Sequence, residues 1–444
     1  MKKRGWSLNV IALAAVLACS PASAQTAEAE LAAQVRQLRA EMQKLRDEME
    51  ALKKQQGAAT APAPATGGWN APAAASASGP GPAAAAAPQS ADASTGLRLF
   101  GYGELSYSRP RKDPANTVAT LGRGVLGFGY RFDERTRMAA ELEVENAVAS
   151  ADDRGEVELE QMYIEHDFTP NISAKAGLFL MPIGLLNESH EPTRYFGVFR
   201  NQVETAIIPT TWREIGIGVQ GTTDSGWRWN TGVVTGFNLT AWDPASTEGI
   251  ESPLGAIHQE GQLALARTLA GYAAVNYSGV PGLKVGGSIF HGGAGQKQPG
   301  FAAPDATVTL AEAHARWQAG PWDIAALAAQ GRFSGIAALN ATFAGQPAPV
   351  PDRFGGWYAQ GAYRVWQAGP QSLWPFARYE RLNTASSYSG LPAGVIPAPL
   401  PATRTVTVGA NYYLNPQVVF KVDYMRFVDD STRDRFNLGV GFDF

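Results

Sequence analysis

The stretch Met138-Ala-Ala-Glu-Leu-Glu-Val-Glu145 decides the fold. Its even-numbered residues are all apolar, and its three glutamates lie at odd-numbered positions. Near the end of the chain, Val418–Tyr424 alternates in the same way. Because successive side chains of a β-strand point to opposite faces, a period of two with one apolar face predicts half-buried strands.

Sixteen stretches of this kind can be marked between residues 97 and 444, and the connections between them alternate in length. Seven connections are tight turns, such as Asp133–Arg135 and Val280–Gly282, and the others are longer loops. Short turns at one end and long loops at the other are typical of bacterial outer-membrane barrels. The pattern therefore predicts an all-β fold over residues 97–444, a 16-stranded antiparallel transmembrane β-barrel.

Residues 1–24 are predicted to be a secretory signal peptide. Lys2–Arg4 precede an apolar run too short to span a bilayer, and Ala22–Ala24 forms a small-x-small cleavage site. The only cysteine, Cys19, lies in a sequence that loosely matches a lipoprotein cleavage box, so lipidation is the alternative. Cleavage at the alanine site removes Cys19 and leaves no thiol for a disulfide or a metal.

Residues 25–56 carry a heptad repeat, which predicts a coiled-coil helix that joins copies of the chain. The flanking charges agree, because Glu41 would face Arg46 of a neighbouring helix in a parallel coil. A single amphipathic helix is the alternative interpretation. Residues 57–96, rich in Ala and Pro, predict an extended linker. The predicted seam residues are Leu31, Val35, Leu38, Met42, Leu45, Met49 and Leu52.

Charge and hydropathy exclude two classes of protein. The 37 basic and 40 acidic residues give a formal charge of −3, which becomes more negative when the basic leader is removed. An acidic chain of this kind argues against a nucleic-acid partner. After the leader, no stretch of 18 apolar residues occurs, so a helical membrane span is not predicted.

Three segments resemble the family of phosphate-selective porins O and P: Gly177–Arg194, Val203–Glu214 and Trp374–Glu380. The chain also ends in Phe444 after alternating apolar residues, which is similar to the assembly signal of outer-membrane barrels. The resemblance covers most of the chain. It implies a trimeric porin in outer-membrane lipid, with its N-terminal coil in the periplasm, through which small hydrophilic solutes or ions diffuse.

In porins of this kind the third external loop folds into the lumen and narrows the pore. The loop from Met181 to Thr211 has the same ordinal position, and so long a loop indicates a functional role. Charges of both signs within a water-filled pore tune which ions pass; ordinary solvated loop charge is the alternative. The predicted constriction residues are Glu188, His190, Glu191, Arg194, Arg200, Glu204, Arg213 and Glu214.

Strand parity predicts the pore wall. Charged residues opposite the apolar face are expected to point into the lumen, because charge facing lipid is unfavourable. Placement near the rim is the alternative for some of them. The predicted wall residues are Arg123, Glu141, Glu143, Glu145, Arg378, Glu380, Lys421 and Asp423.

The predicted constriction loop argues against strong anion selectivity. An anion-specific pore needs a dense run of Lys or Arg at its throat, whereas this loop mixes Glu and Arg. We therefore expect a weakly selective porin, with a phosphate- or anion-selective porin as the alternative.

No cofactor, metal or catalytic site is predicted. Gly122–Gly127 matches the dinucleotide fingerprint, but it continues as a strand where a helix is needed. The five histidines lack metal-ligand spacing. Glu188–Glu191 is interpreted as solvated loop charge in preference to a cation site.

Two functions from other classes remain open. One is an enzyme carried on an outer-membrane barrel, for which His190 and Asp430 are candidates. The other is a structural tether whose coil binds peptidoglycan. A porin is favoured, because eight strands already make an anchor, whereas sixteen leave an aqueous channel.

Overall fold

The computed structural model describes residues 96–150 and 155–444, together with Lys44. The predicted signal peptide, coiled-coil helix and nearly all of the linker lie outside the described residues. Among the described residues, no helix is long and apolar enough to cross a membrane.

Seventeen strands form a single sheet. They are β1 (Leu97–Pro110), β2 (Val118–Arg131), β3 (Thr136–Glu145), β4 (Val157–Thr169), β5 (Ile172–Leu180), β6 (Arg213–Thr222), β7 (Trp227–Val234), β8 (Ala270–Tyr277), β9 (Leu283–Gly293), β10 (Thr307–Ala319), β11 (Trp322–Ser334), β12 (Arg353–Tyr363), β13 (Trp366–Ala368), β14 (Gln371–Ser387), β15 (Thr403–Asn415), β16 (Val418–Phe427) and β17 (Arg435–Asp443). Between residues 96 and 444, the described helical segments are short and lie in connections: α1 (Glu248–Glu251), α2 (Ala337–Thr342), three 3₁₀ turns (Pro114–Asn116, Leu239–Ala241 and Gly255–Ile257) and one π-helical turn (Val203–Ile207).

The sheet closes on itself. Neighbouring strands pair antiparallel in chain order, and β1 pairs with β17, with Tyr102 opposite Asp443. The two segments β12 and β13 both pair with β14 and are separated by two residues, so they occupy one position in the ring. The prediction of a closed 16-stranded antiparallel barrel is confirmed.

The seven predicted tight turns all join strands at one end, here called the turn end, where the chain also enters and leaves the barrel. Local side chains make these turns. The Asp133 carboxylate accepts the N–H groups of Arg135 and Thr136 at 2.8 and 2.7 Å, and these bonds hold the pKa of Asp133 below its ordinary value. The opposite end, here called the loop end, carries the long connections.

The barrel is apolar outside and carries its buried charges inside. Ile217, Leu126 and Ile164 each expose at least half of their surface, whereas Glu143 and Asp423 are almost completely buried in the interior. This polarity is the reverse of a water-soluble protein. It is the arrangement that a membrane barrel requires, because hydrocarbon surrounds it and water fills it.

An aromatic girdle surrounds the turn end. Trp227 packs against Tyr277 with ring centroids 4.9 Å apart, and Trp322 packs against Tyr363 at 4.6 Å. Amphipathic rings prefer the boundary between lipid and water. Exposed aromatic residues near this end include Phe132, Phe168, Trp227, Trp317, Trp322, Trp366 and Phe444.

The apolar exterior predicts a large effect of charge at the middle of a strand. We expect Ile217→Lys, on β6, to lower the free energy of unfolding by about 2–4 kcal/mol, because lysine then faces hydrocarbon. Urea unfolding of protein folded into lipid vesicles measures this. The matched control is Leu263→Lys, since Leu263 is 97% exposed in a long loop, and an equal loss in the control contradicts a lipid-facing Ile217.

Two long loops enter the barrel from the loop end: the crossing loop (residues 181–212) and the fourth loop (residues 235–269). Together they bury an apolar core against the inner faces of β7 to β12. Trp212 of the crossing loop contacts Phe237 and Phe290, with centroids 5.1 and 4.8 Å away. This core fills part of the barrel interior.

Candidate functional site

The crossing loop passes from one wall of the barrel to the other. It leaves β5, and Pro192 then touches Gly441 on β17 closely enough that a Cβ at Gly441 would overlap the proline. The loop then follows the wall to β14, where the N–H of Gln202 donates to Glu380, and it returns to the ring at β6. A loop on this course narrows the lumen.

Glu204 holds the two ends of the crossing loop together. Its carboxylate accepts the N–H groups of Leu185 and Leu186 at 2.6 and 2.8 Å. It also accepts the Asn201 amide at 2.8 Å and the Tyr358 hydroxyl of β12 at 2.9 Å. The carboxylate is thus a structural anchor of the loop.

We expect Glu204→Ala to lower the free energy of unfolding by roughly 2–4 kcal/mol, because four donors to a charged acceptor become unpaired, two of them backbone N–H groups. Urea unfolding in detergent, followed by tryptophan fluorescence, measures the loss. The control is Glu188→Ala in the same loop, where the carboxylate lies 3.7 Å from Lys175 and is 37% exposed. Equal losses in the two variants contradict the anchor role.

Wall residues hold the middle of the crossing loop. Asp423 accepts the N–H of Val198 at 2.6 Å, and Arg378 donates to the carbonyl of Phe196 at 3.1 Å. Arg378 also pairs with Glu380 at 3.0 Å. These predicted wall residues face the interior and bind the loop backbone.

The loop backbone needs glycine at one of these contacts. Gly197 has φ of +88°, and a Cβ there would lie 3.2 Å from Phe376 and 3.3 Å from the Asp423 carboxylate. Left-handed backbone and close packing both favour glycine.

Lys421, another predicted wall residue, places its ammonium 3.5 Å from the centre of the Tyr195 ring.

The remaining predicted wall residues lie on adjacent strands in the loop-end half. Arg123 on β2 pairs with Glu104 at 2.8 Å and with Glu143 at 4.0 Å. Glu141 accepts the Gln161 amide at 2.6 Å, and Glu145 is partly exposed. This half of the wall is predominantly acidic.

The predicted loop residues have different surroundings. Glu188, Glu191, Arg194 and Arg200 keep some exposure, and Arg194 lies 3.5 Å from Asp443. His190 is 3% exposed. Arg213 pairs with Glu158 and Glu260, and Glu214 is buried with the Trp212 indole and the Thr235 hydroxyl. Glu204 and Glu214 therefore stabilise the loop and present no charge to water.

Sequence reasoning missed several interior charges. Glu158 and Glu160 on β4 face the lumen. They alternate with apolar residues in the same way as the predicted glutamates on β3. Near the turn end, Arg228, Lys284 and Arg316 lie on β7, β9 and β10, with β8 between the first two, and all three are partly exposed. Strand parity was the signal that could have found all five.

The structure gives His190 and Asp430 separate surroundings. His190 contacts Tyr102 and Glu160 inside the barrel. Asp430 lies exposed in the last long loop and accepts from Thr432. The two residues named as enzyme candidates share no hydrogen-bond partner among the described residues.

Comparison with known proteins shows the fold. No family model matches the sequence. An uncharacterized protein of Aquifex aeolicus (strain VF5) is 29% identical over 357 residues, which cover 78% of this chain and 79% of that protein. Salmonella typhi OmpF in complex with daunomycin superposes with a TM-score of 0.55 at 15% identity, over 79% of this chain and 98% of that chain. The outer membrane channel DcaP of Acinetobacter baumannii gives 0.50 at 12% identity, over 80% and 99%. The chain thus has the fold of outer-membrane porins.

Proposed function

We propose that the protein is an outer-membrane porin through which small hydrophilic solutes and ions diffuse. The observation that carries this proposal is the crossing loop, which is pinned to the wall at Gly441 and Glu380 and narrows a lumen lined with charge. An anchor or a tether has no need of such a loop. The outer membrane channel DcaP, similar in fold, supports the proposal.

The proposed orientation places the turn end in the periplasm. Both ends of the barrel chain lie at the turn end, and outer-membrane barrels have their short turns there. The predicted coil of residues 25–56 would then lie in the periplasm and join three copies, as the family resemblance implies. Its proposed contact with peptidoglycan is compatible with this orientation.

Weak ion selectivity is expected from the charges of the crossing loop and the wall beside it. Carboxylates and guanidinium groups lie side by side, as in Arg123 with Glu104 and Arg194 with Glu191. Opposite charges at short range cancel much of each other's potential at the distance of a passing ion. We therefore propose a general porin.

An anion-selective porin is the second candidate, and the turn-end half of the lumen favours it. Arg228, Lys284 and Arg316 form a basic row that is partly exposed. Arg316 is neutralised by Asp323 at 2.7 Å, whereas Arg228 donates to the uncharged amide of Gln220. This row would concentrate anions as they pass through the lumen.

Planar-bilayer recording tests both candidates. Purified protein is expected to give stepwise conductance and a small reversal potential under a KCl gradient. Strong anion selectivity with block by phosphate establishes the second candidate. Absence of conductance from correctly folded protein overturns the porin proposal and favours the enzyme or the tether.

A further inference from the structure

A cluster of three potential metal ligands lies where the crossing loop meets the wall. Glu141 of β3, Glu160 of β4 and His190 of the crossing loop are all buried, and one ligand atom of each lies within 4.8 Å of the others. Glu141 and Glu160 lie on paired neighbouring strands, where Glu141 is opposite Gln161. The inward course of the crossing loop brings His190 to them.

We propose that Glu141, Glu160 and His190 bind a divalent transition-metal ion such as Zn²⁺ at the constriction. One imidazole and two carboxylates form a donor set suited to borderline divalent metals. Metal binding itself needs no channel. The inference rests on the proposed function only for the expected effect of the bound metal on the channel current.

The hydrogen bonding of His190 leaves its second nitrogen available. Nδ1 lies 3.0 Å from the carbonyl oxygen of Asn187. A carbonyl can only accept, so Nδ1 carries the proton, and in a neutral ring Nε2 accepts from the Tyr102 hydroxyl at 2.8 Å. This hydroxyl also lies 3.3 Å from Oε2 of Glu160 and can turn to it, which frees Nε2 for a metal ion. Histidine ligands in metal sites are commonly oriented by this kind of contact to a backbone carbonyl.

When the Tyr102 hydroxyl turns to Oε2 of Glu160, Nε2 of His190 faces the other carboxylate oxygen, which lacks a donor. Nε2 of His190 lies 2.8 Å from Oε1 of Glu160, and this oxygen has no hydrogen-bond donor among the described residues when the ring is neutral. Two lone pairs at this distance repel each other. A cation between them removes the repulsion, either a proton on the imidazole or a metal ion.

The surrounding charge favours a doubly charged cation. Glu141 and Glu160 place two carboxylates beside His190, with one ligand atom of each within 4.8 Å of the others. Arg123 and Arg200 oppose them, but Arg123 already pairs with Glu104. One proton neutralises one charge, whereas Zn²⁺ neutralises both carboxylate ligands. Zinc bonds of about 2.1 Å need ligand atoms about 3.3 Å apart, so a small rotation of Glu160 would open the site.

Cobalt binding by the full-length, EDTA-treated protein in detergent tests the proposal. We expect one Co²⁺ per chain with visible absorption bands, displaced by Zn²⁺, and at least tenfold weaker binding in both His190→Ala and Glu160→Gln. Heat-modifiable migration on gels establishes that each variant is folded. The control variants are Glu158→Gln and His258→Ala. Glu158 belongs to a separate group with Glu156 and Glu260, and His258 is a neighbour of that group.

Each result has a definite meaning. Unchanged binding in His190→Ala, or a loss confined to Glu158→Gln, overturns the proposed site. Absence of bound Co²⁺ in the wild type overturns the proposal without any variant. Micromolar Zn²⁺ is expected to reduce the current of the wild type but not of His190→Ala. Metal binding without any current refutes the porin and leaves the site standing; current without metal binding refutes the site alone.

Discussion

Replacing Arg378 and Glu380 together by alanine is expected to raise the single-channel conductance by a factor of roughly two or more, because the crossing loop loses its attachment to β14 and frees cross-section for ions. Arg378 donates to the carbonyls of Phe196 and Phe199, and Glu380 accepts the N–H of Gln202. Removing both members of the pair avoids leaving one buried charge without its partner. Single-channel recording in planar bilayers measures the change.

The matched control removes another Arg and acidic pair of the same barrel. Arg404 and Asp429 form an exposed ion pair near the loop end, with side chains 47% and 36% exposed. Their double replacement by alanine changes the formal charge by the same amount and leaves the crossing loop attached. Equal conductance in the two double variants, with both folded, contradicts the role of the crossing loop as the constriction.

Reversing the basic row by Arg228→Glu with Lys284→Glu is expected to shift the reversal potential strongly toward cation selectivity. Both side chains are partly exposed to the lumen near the turn end, and the change replaces two positive charges by two negative ones. At 0.1 M salt, screening extends over about 10 Å, so we expect the ratio of K⁺ to Cl⁻ permeability to rise by roughly threefold or more.

Salt dependence separates this effect from a structural one. At 1 M salt the screening length falls to about 3 Å, and most of the shift should disappear. The control reverses Lys112 and Lys297, which lie exposed in long loops. A shift of the same size in the control, or one that persists at 1 M salt, contradicts a role for the basic row in selectivity.

The strands and turns of the barrel could be predicted because their signals are local. Alternation on β3 and β16 assigns each side chain to one of two faces, and turns such as Asp133–Arg135 are stabilised by their own side chains. One departure is the break between β12 and β13, across which the chain keeps its position in the ring.

The roles of individual charges could not be predicted in this way. Glu204 belongs to the predicted constriction set, yet it bonds to Tyr358, 154 residues later in the chain. Asp423 belongs to the predicted wall, and it binds the backbone of Val198, 225 residues earlier. Parity assigns a face to each side chain on a strand, but it contains no information about which loop will reach it.

The sequence by itself determined a closed 16-stranded barrel with a polar interior and tight turns at one end, because strand period and turn chemistry depend on near neighbours. The tertiary structure alone decided that the crossing loop passes over the lumen to Gly441, and that His190 of this loop contacts Glu160 of β4. The physical reason is that a loop has no periodicity, so its path is set by hydrogen bonds and packing between residues far apart in the chain.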